Sequence, residues 1–141
     1  MPSYVNGLDM SFSRASSSWF LARKSEGFTA FAQCLDTGGA NINQGLIPTA
    51  ERNLMDALAA GLRVSGYLNA APWLPGPTAV QHAQTTAGQA WAHLPVLWVD
   101  VEIEGVTEAR IQETCEAAKA TGKAVGFYSA KWFWQKLGNP M

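Results

Sequence analysis

The chain has 141 residues, of which 48% are hydrophobic and 15% charged, a length that fits one ordinary domain and excludes two. Ten Lys plus Arg against eleven Asp plus Glu leave a formal charge of -1, so neither a nucleic acid nor an anionic membrane surface is expected as a partner. Six Trp, six Phe and three Tyr exclude disorder and leave rings to spare for a binding groove.

Short apolar runs alternate with longer amphipathic stretches, the pattern of strand-helix units around a parallel sheet. The opening residues hold no basic segment followed by an apolar stretch, and no window reaches the roughly 20 apolar residues of a membrane span, so neither an export signal nor an anchor is expected. Tyr4 to Ser11 is the first expected strand. Ser16 to Ser18 offer N-caps for a helix carrying Trp19 and Phe20 and ending at Gly27. Phe28 to Leu35 is the second strand, followed by the polar loop DTGGANINQG. Pro48 suits a first helical turn, and Leu54, Met55, Leu58 and Leu62 recur at helical spacing, with Gly61 at the helix end.

Arg63 to Ala70 is the third strand, and APWLPGP after it reads as an irregular loop. Thr78 to His93 is helix-compatible and is ended by Pro95. Val96 to Ile103 is the strand with the strongest apolar run. Thr107 opens a helix with Ile111, Cys115 and Ala118 on one face, closed by Gly122. Ala124 to Ser129 is a fifth strand, and Lys131 to Leu137 a short aromatic-rich helix or turn. Strand starts near residues 6, 28, 63, 95 and 124 recur about every 30 residues, ordinary for strand-helix repeats. Cys34 and Cys115 share no CxxC spacing and read as two buried thiols.

The sharpest chemical feature is LWVDVEIE at 97–104. Strand alternation places Trp98, Asp100, Glu102 and Glu104 on one face, with Asp100 and Glu102 roughly 6.5 to 7 Å apart at Cα. One ionised carboxylate raises the pKa of its neighbour and burial does the same, so one of the pair is suited to hold a proton near neutral pH. Asp9, at the end of the first strand, can reach the same mouth. Three convergent carboxylates suit glycosidic cleavage, in which an acid protonates the leaving oxygen and a carboxylate stabilises oxocarbenium-like charge. The other openings are a structural cation site, since oxygen ligands suit Mg or Ca, and simple helix capping. His82 and His93 read as surface or helix-end residues. No G-x-S-x-G elbow supports a nucleophilic serine, and no P-loop follows TGGAN.

GLDMS at 7–11, AGLRVSGYLNA at 60–70, LWVDVE at 97–102 and TGKAVGFYS at 121–129 together resemble the glycoside hydrolase family 25 lysozymes, the Chalaropsis-type muramidases. The resemblance runs from about Val5 to Trp134. It implies an α/β fold, a TIM-barrel-like (β/α) repeat of about five parallel strand-helix units forming an incomplete barrel, against roughly 200 or more residues for complete ones. A five-stranded doubly wound sheet is the alternative fold. Residues 1–141 would form a single domain of this kind, lacking the last strands of the family. The implied activity is hydrolysis of the β-1,4 link between N-acetylmuramic acid and N-acetylglucosamine in peptidoglycan, outside the cell or at its wall, with no cofactor and no metal.

The resemblance puts the general acid on Glu102, with Asp100 and Asp9 as its partners. Tyr67 and Tyr128 match rings lining the cleft, Asn69 stands where the family carries a ring, and Trp98 would support the acids from beneath. Trp73, in its Pro-rich loop, is a candidate for stacking on a sugar. A non-catalytic glycan-binding relic of the fold is the alternative function, and a homo-oligomer covering open sheet edges is an expected assembly.

Overall fold

A computed structural model of the protein describes residues 7–45 and 47–129. Five strands, β1 (Gly7–Met10), β2 (Ala30–Asp36), β3 (Arg63–Asn69), β4 (Val96–Asp100) and β5 (Ala124–Tyr128), form one parallel sheet in the order β1-β2-β3-β4-β5. Between them run α1 (Ser17–Ser25), the short α2 (Ile42–Gly45), α3 (Ala50–Ala59), α4 (Gly76–Ala87) and α5 (Glu108–Lys119). Crossovers between parallel strands are right-handed as a rule, which carries helices between strands that neighbour in sequence to one face. Accordingly α1 touches α3, α3 touches α4, and α4 touches α5. This excludes the doubly wound alternative, in which the strand order reverses and helices cover both faces. Among the described residues the outer edges of β1 and β5 do not pair with each other, so the sheet is open.

The register separates two faces. Phe31 and Val64, then Gly66 and Leu97, then Leu68 and Val99, lie in rows beneath the helices, and their apolar side chains are almost wholly buried. Phe20 of α1 meets Phe31 edge-on at 4.9 Å between ring centres. The opposite face carries Asp9, Ala32 and Ser65, then Cys34, Tyr67, Trp98 and Gly126, then Asn69, Asp100 and Tyr128.

Local chemistry explains most boundaries. Ser16 caps α1, its hydroxyl accepting from the Trp19 amide at 3.1 Å, and Thr107 caps α5 in the same way through Arg110. The expected stops at Gly27, Gly61 and Gly122 all fall just beyond helices. Several expectations are corrected. α2 falls inside the expected Gly/Asn loop, and α3 starts at Ala50, after Pro48. α4 starts inside the expected Pro-rich loop, because Pro77 sits in its first turn, where no amide partner is needed. The expected helix to His93 breaks at Gly88, whose φ of +54° only glycine adopts readily, and continues to His93 as a 3₁₀ turn.

β4 ends at Asp100, short of the expected Ile103, because its neighbours β3 and β5 end at Asn69 and Tyr128 and offer no further ladder. The start of the first expected strand and the aromatic segment 131–137 lie outside the described residues.

Candidate active site

Asp100 closes β4, paired across the sheet with Asn69 on one side and Tyr128 on the other. It is only 7% exposed, and its Oδ1 has no hydrogen-bond partner among the described residues. Burial, then the neighbouring charge of Glu102, pushes its carboxyl up from 3.8 to about 6, while a hydrogen bond from Tyr128 pulls the other way. Glu102 lies past the end of the strand and is exposed, so the alternation expected through Glu104 stops at Asp100. Asp100 is thus a buried carboxyl that keeps its proton to about pH 6.

On the same face a cleft of about 430 Å³ is lined by Asp9, Ala32, Ser65, Tyr67, Trp98 and Tyr128, among others. Asp100 is joined to this cleft through Tyr128. The Tyr67 and Tyr128 rings meet edge-on at 6.3 Å. Both phenols are held well above their usual range, Tyr67 by burial and then Cys34, Tyr128 by burial and then the charge of Asp100. Asp9 is exposed on β1 and contributes to the field at both phenols.

Trp98 lies across the floor, its indole N–H donating to the Ser65 hydroxyl at 3.3 Å. Its ring passes so close to Gly126 that a Cβ there would collide with it, so the glycine in GFY serves to seat the ring. Asn69 is half-buried, and its amide donates to the Asp36 carbonyl at 3.0 Å. Trp73 is 55% exposed in the loop after β3, its indole N–H donating to the Gly38 carbonyl at 2.7 Å.

The fold thus brings Asp9, Tyr67, Trp98, Asn69, Asp100 and Tyr128 to one face, with Trp73 in the loop after β3 and Glu102 just past the end of β4. The cation alternative lacks its geometry: among the described residues no three His, Cys, Asp or Glu side chains come together to hold a metal.

Three groups near the site are not evident from sequence motifs. Cys34 lies beneath Tyr67, and burial lifts its thiol to about 11, so it acts as an inert packing group there. Gln33 and Asn53 are fully buried and tie down the segment after Asp9. Asn53 donates to Gln33 Oε1 and to the Ser13 carbonyl and accepts from the Ala15 amide, while Gln33 donates to the Ser11 carbonyl. Their signal in the sequence is two amides at positions where the strand and helix patterns otherwise require apolar residues.

The third group is Asp36 with His82, which corrects the expectation that His82 is a surface residue. Cys34 faces Tyr67, but Asp36 faces Leu68, and this irregularity turns Asp36 to the helix side, where His82 of α4 meets it at 3.1 Å.

No protein-family model matches the sequence, and no curated protein matches it. Among solved structures the chain is similar to GHIP, a glycosyl hydrolase 25 of Streptococcus pneumoniae described as a virulence factor participating in host cell invasion. The superposition has a TM-score of 0.77 at 13% identity and covers 95% of this chain and 63% of that one. The chain therefore has the fold of the glycoside hydrolase 25 structure over somewhat less than two thirds of that protein's length.

Proposed function

We propose that this chain is a glycoside hydrolase of muramidase type that cleaves the β-1,4 link between N-acetylmuramic acid and N-acetylglucosamine in peptidoglycan. The observation that carries the reading is the buried Asp100, proton-holding to about pH 6, beside the exposed Glu102 at the C-terminal mouth of a parallel sheet. Strand C-termini are where such folds place their chemistry, and the likeness to a glycosyl hydrolase 25 structure supports the same reading.

The two carboxyls divide the work by position. Glu102, free of the sheet and facing solvent, delivers a proton to the leaving glycosidic oxygen. Asp100, fixed between Asn69 and Tyr128, stabilises positive charge developing on the sugar once it is ionised. Asp9 adds negative potential at the cleft wall, while Trp98, Tyr67, Tyr128, Asn69 and Trp73 offer rings and one amide to the glycan.

Glu102→Gln, at an exposed position, is expected to leave folding intact and lower the release of reducing ends from peptidoglycan by about 10²- to 10⁴-fold. Unchanged release by that variant would overturn the assignment. Wall binding by the wild-type chain with no release of reducing ends would leave a glycan-binding domain in its place.

A further inference from the structure

We infer that the buried Asp36–His82 pair is a positioning device for the C-terminal end of the sheet, where Asn69, Trp73 and Glu102 lie; the inference deepens the muramidase reading and rests on it. Asp36 is wholly buried at the end of β2, and its two carboxylate oxygens are used separately. Oδ2 meets His82 Nδ1 at 3.1 Å, and Oδ1 accepts the Gly38 amide at 2.6 Å. One end of this arrangement is anchored in α4, on the helix side of the sheet. The other end is the loop after β2.

Three contacts carry that loop to the C-terminal end of the sheet. The Gly38 carbonyl accepts the Trp73 indole N–H at 2.7 Å, and the Asp36 carbonyl accepts the Asn69 amide at 3.0 Å, one strand away from Asp100. Gly38, at φ +86°, packs so tightly that a Cβ there would lie 2.6 Å from Ile103 Cδ1, and Ile103 follows Glu102 directly in the chain. Gly45 closes the loop from the other side: its carbonyl accepts the Thr37 amide, and a Cβ on it would strike Asp36 Oδ1.

Trp73 and the segment bearing Glu102 are thus referenced through Gly38 to one carboxylate, which His82 holds in place, and Asn69 to the backbone of the same residue. A core that needed only volume at this position would be served by an apolar side chain, without the cost of burying a carboxylate. His82 reaches no substrate in this scheme; it acts through Asp36 and Gly38.

His82→Ala breaks the anchor, and His82→Asn restores a donor close to where Nδ1 stands. The test uses the full chain and two readouts. The first is the indole N–H resonance of Trp73, assigned by its disappearance in Trp73→Phe. It should shift or broaden in His82→Ala and return in His82→Asn. The second is turnover of soluble peptidoglycan fragments, where His82→Ala should raise KM about three- to tenfold, the cost of ordering a loosened side chain on binding. The kcat should stay within about twofold, and His82→Asn should restore KM.

An unmoved Trp73 resonance in a folded His82→Ala protein overturns the proposal, as does failure of His82→Asn to restore it. If His82→Ala does not fold, His82→Leu, which keeps most of the volume and offers no hydrogen bond, takes its place: a shifted or broadened Trp73 resonance supports the proposal, and an unmoved one overturns it. A wild-type chain that cleaves no fragment would overturn the muramidase reading alone, because the resonance still decides what His82 positions.

Discussion

The two faces of the sheet are built from the same five strands and obey opposite rules. Under the helices the rows are Phe, Val, Leu and Gly, buried and closely packed, and the polar side chains among them, Gln33 and Asp36, are fully engaged. On the open face the rows carry four ionisable groups displaced upward by burial, Cys34, Tyr67, Asp100 and Tyr128. They also carry one carboxylate oxygen without a partner among the described residues, and rings that remain one third or more exposed at Trp98 and Tyr128. The first face holds the fold together. The second departs from what stability alone would select, the pattern expected where a site is kept poised for chemistry.

The difference is broken most directly by truncating neighbouring residues of β4. Leu97, wholly buried under the helices, leaves a cavity when cut to alanine, and Leu97→Ala should cost about 2–5 kcal/mol in denaturant unfolding. Trp98 is larger but 37% exposed, on the face that no helix of the described residues covers. Trp98→Ala should cost no more than about 1–2 kcal/mol. A larger loss from Trp98 than from Leu97 would mean that the open face is part of the core.

The helix-covered face is legible in the sequence because its signals are local. Apolar runs of strand length, caps at Ser16 and Thr107 and glycines beyond the helices each act within a few residues, and each lies close to where the pattern puts it. The placement of Asp9, Tyr67, Asp100 and Tyr128 on one face follows from strand alternation and parallel pairing.

Where sequence and structure part, a non-local cause decides. Alternation carries Glu102 onto the strand face, but a strand lasts only as long as its neighbours, and both neighbours of β4 stop level with Asp100. By pattern Asp36 belongs to a turn and His82 to the surface, yet an irregularity of register between β2 and β3 turns one towards the other. Neither residue alone signals that turn.

Asp100 gives a sharper test, since here the open face should lower stability. Its carboxyl titrates near pH 6 in the folded chain against about 3.8 unfolded. Between those values the folded state binds more protons than the unfolded one, so stability falls as pH rises through that window. Asp100→Asn carries no such charge. It should match wild type near pH 4 and exceed it at pH 8 by up to about 2–3 kcal/mol, with the pH slope between 4 and 6 flattened, while losing turnover. A wild-type protein whose stability stays level over that interval relative to the variant would show that Asp100 is solvated, and one whose stability rises that it is paired.

Gly126→Ala probes the floor. The new methyl group meets the Trp98 ring, which must lift away or force β5 outward, at a cost of about 1–3 kcal/mol seen as a lower denaturant midpoint. Trp98→Ala in the same background should recover most of it, because the three atoms a Cβ would approach most closely all belong to that ring.

The smallest effect belongs to Ser65→Ala, and its smallness is informative. The substitution removes the acceptor of the Trp98 indole N–H. In a sealed core an abandoned donor costs about 1–3 kcal/mol, whereas on a face reached by water the solvent replaces the hydroxyl and the change stays within about 0.5 kcal/mol. Trp98 is more than one third exposed, which favours the smaller figure. The measurement is a comparison of unfolding midpoints, and a loss above about 1 kcal/mol would mean that the floor of the cleft is dry in solution, moving the boundary between the two faces from the sheet itself to whatever covers Trp98.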